Sequence, residues 1–179
     1  MDFFDVIEKR HSYRGPYKAI EIPREDLCKI IQTALKAPSG KNAQTTDFLI
    51  IDEPYLVEQF QNLHKSNKAM QQSKAYICCI IDKKPPPIIG NESFQLEDCS
   101  AAVENMLLAI TALGYASVWM DGWLRFGDNT AIINNLLKLP NSKKIQIILP
   151  IGIPKEEGKQ PDKKSFAARV CFNAYKAAQ

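Results

Sequence analysis

Histidine is scarce in this 179-residue chain, which has only His11 and His64. Its five cysteines, at 28, 78, 79, 99 and 171, never fall in C-x-x-C spacing. These shortages argue against a zinc centre or an iron–sulfur cluster. The odd cysteine count forms no disulfide framework, so a reducing, cytoplasmic setting is expected. Cys78 and Cys79 lie inside an apolar run and read as packed thiols. Long apolar runs are missing too. The longest, Ala101–Leu113, is too short to span a bilayer and contains Glu104 and Asn105, so no membrane partner is expected. Met1-Asp2-Phe3-Phe4-Asp5 carries acid where a secretory leader would be basic. An excess of one charge is also absent. With 23 Lys+Arg against 20 Asp+Glu, the net charge of +3 is too mild for a nucleic-acid binder. No glycine-rich dinucleotide fingerprint occurs.

What remains is 45% hydrophobic and 24% charged, enough for one globular domain over residues 1–179 with its own core. Asp2 can cap a short helix through Lys9. Pro23, followed by Glu25 and Asp26, opens a second, with Leu27, Ile30, Ile31, Ala34 and Leu35 at helical spacing. Pro38 ends it. Phe48–Ile51 reads as a strand, Pro54 opens a third helix, and Ala75–Ile81 reads as a strand buried on both faces. Gln95–Leu113 is the longest helix. Ser117–Met120 and Ile145–Ile151 are further strands, Asn129–Leu139 is a helix stopped by Pro140, and Ser165 can cap a last helix, Phe166–Ala178. Lys83–Glu92, with Pro85 to Pro87, is a loop suited to a rim or a plain connector. The pattern predicts an α+β fold with a central sheet flanked by helices.

The second half of Gln95–Leu113 is apolar on nearly every face and rich in small residues. Such a helix must be buried all round, either as a central core helix or against a second copy of the chain.

Two polar patches stand out. In Arg10-His11-Ser12-Tyr13-Arg14 an extended chain would aim Arg10, Ser12 and Arg14 to one side. Guanidinium forks and a hydroxyl suit a phosphate or another planar acceptor. In Ala37-Pro38-Ser39-Gly40-Lys41-Asn42-Ala43-Gln44, the Asn42 and Gln44 amides can each donate and accept, as reading a heterocycle edge requires. A phosphate clamp beside an amide-bearing loop points to a phosphorylated ring cofactor. Basic residues gather again at 155–169.

These motifs resemble the FMN-dependent nitroreductase family. Arg10-His11-Ser12-x-Arg14 is similar to its N-terminal phosphate signature, and Ala37-Pro38-Ser39-x-x-Asn42-x-Gln44 to its second motif. Leu113–Gly122 is similar to the strand and turn beside the flavin ring. Ile151-Gly152-x-Pro154 followed by Lys163-Lys164 is similar to its C-terminal phosphate-contacting segment. Several motifs in order are far more specific than one alone.

The resemblance implies a nitroreductase-like fold with a mixed, mainly antiparallel sheet and an intertwined homodimer holding FMN at its interface. It places Arg10 and Ser12, with His11 beside them, on the phosphate, and Arg14 near the pyrimidine end of the ring. Ser39 and Asn42 would come from the partner subunit, with Pro38 also among the cofactor-binding residues and Gln44 near the ring edge. Trp119, Met120, Asp121 and Gly122 would present backbone N–H groups to the ring, and Lys163 and Lys164 would complete the clamp. NADH or NADPH would supply hydride and a small-molecule acceptor, a nitroaromatic or quinone, would receive it. No acid–base residue is implied, because the cofactor carries the chemistry.

Thr45-Thr46 replaces the family's frequent Pro-Trp, and Lys164 stands where an arginine is usual, giving up bidentate geometry. The segment 82–95 lacks a helical insertion. It predicts an open site lined by Pro86, Ile88, Phe94, Trp123 and Phe126. A flavin-binding redox sensor with little turnover, a dehalogenating or flavin-modifying relative, and a cofactor-free dimeric interaction module are the alternatives.

Overall fold

The computed structural model describes residues 1–175. The chain begins with helix α1 (Phe3–Lys9), closed by a capping box between Asp2 and Asp5. Helix α2 (Arg24–Ala34) follows Pro23, and its first turn carries Glu25 and Asp26. Strand β1 (Asp47–Ile51) leads into α3 (Pro54–Leu63), whose first turn is capped by the Glu53 carboxylate accepting from Tyr55 and Leu56. A one-turn helix, α4 (Lys68–Gln72), precedes β2 (Ala75–Asp82). Then come α5 (Gln95–Ala112), β3 (Ala116–Ser117), α6 (Asn129–Leu136), β4 (Lys143–Gly152) and α7 (Phe166–Arg169).

The sheet runs β1-β2-β4-β3, and every ladder is antiparallel. The expected mainly antiparallel sheet is thus observed, and among the described residues its parallel pairing is the bridge between Ser12 and Ser117. Along β2 the side chains alternate between two cores. Tyr76, Cys78 and Ile80 join Tyr17, Phe60, Met70 and Ile148 on one face. Ile77, Cys79 and Ile81 join Leu27, Ile30, Val103, Met106 and Ile110 on the other. With a period of two, a strand sandwiched between layers must be apolar at successive positions, as this one is from Ala75 to Ile81.

Three elements are shorter than expected. The strand after α5 is only Ala116–Ser117, and Met120 returns to the sheet by one bridge to Ile148. Helix α6 ends at Leu136, before Pro140 can act. Lys138 adopts φ +53 there, while its N–H and that of Leu139 bond back to Asn135 and Asn134. Helix α7 stops at Arg169 because Val170 is extended, and residues 176–178 of the expected longer helix lie outside the described residues.

Candidate functional site: a basic strand and its C-terminal strap

The run from Arg10 to Lys18 is held extended across the sheet edge. The Tyr13 N–H donates to the Ser117 carbonyl at 2.9 Å, and Ser12 bridges Ser117 in parallel. Further on, the Lys18 N–H donates to the Ile153 carbonyl at 2.8 Å, and the Lys155 N–H to the Pro16 carbonyl at 3.0 Å. Tyr13 and Tyr17 are buried beneath the run, their rings 5.2 Å apart. The Tyr17 hydroxyl donates to the Ala116 carbonyl, and burial pushes its pKa up, so it stays a neutral donor. Its ring covers Gly152, where an added Cβ would meet Tyr17 Cγ at 2.4 Å. That contact explains the glycine in Ile151-Gly152-x-Pro154.

With Tyr13 turned inward, Ser12 and Arg14 face solvent and Arg10 is half-buried. Arg10 pairs with Glu104 of α5 at 3.7 Å, rather than with the acids of its own helix. His11 is fixed by its Nδ1 contact with the Lys9 carbonyl at 2.8 Å, and its Nε2 is buried without a partner. The Ser117 hydroxyl, opposite Ser12, is buried and unpartnered as well.

The C-terminal segment crosses back over this strand. The Gln160 amide nitrogen donates to the carbonyls of Ile7 at 2.8 Å and Arg10 at 2.7 Å. Gly158 lies against His11 so closely that a Cβ there would sit 2.1 Å from Nε2. Lys163 and Lys164 follow on this strap, exposed and without ion pairs. The structure thus brings Gly158 and Gln160 against the segment from Ile7 to His11.

The second patch lies elsewhere. Lys41, Asn42 and Gln44 all take positive φ. Asp98 of α5 holds the loop, accepting from the Gly40 N–H at 2.9 Å and the Thr45 hydroxyl at 2.8 Å. Ser39 Oγ accepts from the Gln44 N–H, while the Asn42 side chain makes no internal hydrogen bond. Pro38 is exposed and Ser39 half-buried. Glu104 and Asp98 are six residues apart on α5, about 9 Å along its axis and about 120° apart around it. No hydrogen bond or ion pair joins Ser39, Asn42 or Gln44 to Arg10, Ser12 or Arg14 among the described residues.

Of the third motif, Met120 is buried, Trp119 half-buried and Gly122 exposed. Asp121 pairs with Arg125 at 2.8 Å. The Trp123 ring rests 5.1 Å from that of His64. Sequence reasoning missed Asp98 and Gln160; only the acid beside the start of α5 and the single glutamine among the strap's charges hinted at either.

Guanidiniums, a hydroxyl and two unpaired ammoniums suit a phosphate, and unpartnered Asn42 suits a polar ring edge, so the residues present fit FMN. Among the described residues no group of His, Cys, Asp and Glu could hold a metal, and no helix is long and apolar enough to cross a membrane.

The Nitroreductase family pattern matches residues 7–153. A protein of Methanothermobacter thermautotrophicus, provisionally named NADH dehydrogenase/NAD(P)H nitroreductase, is 28% identical over 156 residues, covering 87% of this chain and 79% of that one. An iodotyrosine deiodinase of Thermotoga neapolitana is 25% identical, covering 84% of this chain and 88% of that one. The solved structure of an FMN-dependent nitroreductase from Clostridium difficile superposes with a TM-score of 0.81 at 27% identity, covering 96% of this chain and 99% of that one.

Proposed function

This chain belongs to the nitroreductase family and is an NAD(P)H-dependent oxidoreductase; from that premise we propose that it works with FMN, as a homodimer, on nitroaromatic or quinone acceptors. FMN, when bound, supplies the redox chemistry: a ring that takes up hydride at N5 and returns it to an acceptor. The chain's own residues bind and polarise. Arg10, Ser12 and the strap lysines Lys163 and Lys164 hold the phosphate, with His11 wedged beneath by Gly158. Arg14 gives a fixed cation where negative charge develops at the pyrimidine end. Trp119 to Gly122 offer backbone N–H groups, and Pro38, Ser39, Asn42 and Gln44 reach the ring from the partner subunit.

The observation that carries this reading is the Gln160 bond to Arg10, which tethers the strap lysines to the basic strand. The divergence of the two patches around α5 favours a site shared between two copies. So does exposed apolar surface on α1, where Phe3 is 63% and Phe4 77% exposed. An apolar hollow of about 270 Å³ between α1 and α5, lined by Phe3, Val6, Leu108 and Ala109, continues that surface. Donor and acceptor would bind in turn at the one site these residues shape. A cytoplasmic location suits the unbridged thiols of Cys28, Cys78, Cys79 and Cys99, of which Cys78 is kept protonated by burial.

Steady-state oxidation of NADH and NADPH, with a benzoquinone and a nitroaromatic as acceptors, tests this. Parallel double-reciprocal lines are expected. Intersecting lines refute the alternating scheme, and no turnover by FMN-loaded protein refutes the enzymatic reading.

A further inference from the structure

A polar groove runs between α6, the turn before it and the start of β4. It has two adjoining lobes, of about 280 and 340 Å³, which share Thr130 and Lys144. Asp121 and Arg125 stand at the end of the first lobe; Lys83 and Asn141 close the second. The charges are unevenly matched. Arg125 is engaged by Asp121 at 2.8 Å. Lys143, the neighbour of Lys144, is shared by Asp47 at 2.8 Å and Asp82 at 3.0 Å. Lys144 lines both lobes, whereas Lys143 lines neither. Among the described residues neither Lys144 nor Lys83 has an ion pair or side-chain hydrogen bond. Against these two ammoniums stands only Asp128, itself exposed and unpaired. Asn135 and Asn141 add side-chain amides with no internal hydrogen bond.

Two unmatched ammoniums beside free amides suit a phosphate attached to a hydrogen-bonding base. A hollow of this size is in the range of small-molecule sites, roughly 300–1,000 Å³. Asp121, which lines its first lobe, belongs to the segment proposed to lie beside the flavin. We propose that this groove binds the phosphorylated adenosine end of the dinucleotide donor, with Lys83 and Lys144 on its phosphate. The assignment rests on the flavin-oxidoreductase reading for the donor's identity. It goes beyond that reading by giving the donor a recognition site away from the ring, where stacking of nicotinamide alone would need none.

The test is calorimetric binding of adenosine 2′,5′-bisphosphate and of AMP to the full-length, FMN-loaded protein, against the Lys83→Gln/Lys144→Gln double variant. Binding to the wild type, weakened at least about tenfold in the variant, is expected for loss of two charge-assisted contacts. If only the bisphosphate is bound and lost, the groove reads a 2′-phosphate and NADPH is the donor. If both are, it reads the 5′-phosphate side and serves either dinucleotide. No binding to the wild type, or equal binding by the variant, overturns the proposal. Photolabelling of the wild type with 8-azidoadenosine 2′,5′-bisphosphate gives a readout independent of the variant's folding. Label within residues 127–144 is expected, and label confined elsewhere overturns the assignment. Flavin content is measured separately. A protein that binds the nucleotides but not FMN would sink the flavin reading and spare the groove; one that binds FMN but not the nucleotides would do the reverse.

Discussion

The side-chain amide of Gln160 donates to the main-chain carbonyl of Arg10 at 2.7 Å, joining positions 150 residues apart. Through it the strap that carries Lys163 and Lys164 lies over the strand that carries Arg10 and Ser12. Substituting Gln160 by Ala removes this bond and the one to Ile7, each worth about 0.5–1.5 kcal/mol. FMN affinity is expected to fall roughly 5- to 150-fold, the two bonds taken together. Thermal stability should change little, because the strap is exposed. Fluorescence titration of FMN checks this; unchanged affinity would mean the strap does not form part of the site.

Gly158→Ala tests the same strap from its other side. The new methyl would strike His11 Nε2, so strap and imidazole must part. The variant should fold normally and release FMN faster. An unaltered FMN off-rate would show that His11 and the strap act independently of the cofactor.

Asp98 secures the amide-bearing loop by accepting from Gly40 and Thr45. Asp98→Ala leaves both donors without their partner at a buried position. The expected loss is about 1–3 kcal/mol in urea unfolding. FMN binding should weaken with it, since Asn42 and Gln44 ride on that loop. Stability lost with affinity intact would place the loop away from the flavin.

The Tyr115 hydroxyl donates to Asp26 at 2.7 Å, and Lys29 lies 3.1 Å from the same carboxylate. Tyr115 first, and Lys29 second, hold the Asp26 carboxyl below its ordinary pKa. A depressed carboxyl contributes stability above its unfolded pKa and loses it as pH falls through the folded value. Burial, then Asp26, pushes the Tyr115 phenol up to about 12. A raised phenol contributes stability below its unfolded pKa of about 10 and loses it as pH climbs towards the folded value. Tyr115→Phe should flatten the stability profile on both limbs, measured by urea midpoints across pH. Unchanged slopes would contradict the pairing.

Much of this was legible in the chain. The alternation of Tyr76, Cys78 and Ile80 against Ile77, Cys79 and Ile81 carries its own period, and Asp2 and Pro23 mark helix starts by local chemistry. The β3 strand, α6 and α7 were overestimated because their ends depend on what surrounds them. Lys138, for example, turns left-handed only once its N–H can reach Asn135. The basic strand declared itself through Arg10, Ser12 and Arg14, because extended spacing is a local property. Asp98 and Gln160 did not. Their meaning lies wholly in partners 58 and 150 positions away, which no spacing rule reveals. The groove at Lys83 and Lys144 is of the same kind: it joins residues 61 positions apart, and Lys143, the neighbour of Lys144 in sequence, is engaged by Asp47 and Asp82 instead.

The central claim is a bound, reducible flavin held by the basic strand and its strap. The most direct measurement is the visible absorbance of the purified protein, supplied with FMN and freed of excess, before and after NADH or NADPH is added without oxygen. The account predicts flavin bands that bleach on addition, and that are missing from Arg10→Ala treated in the same way. A wild-type protein that retains no flavin band, or whose band does not respond to either dinucleotide, would contradict it.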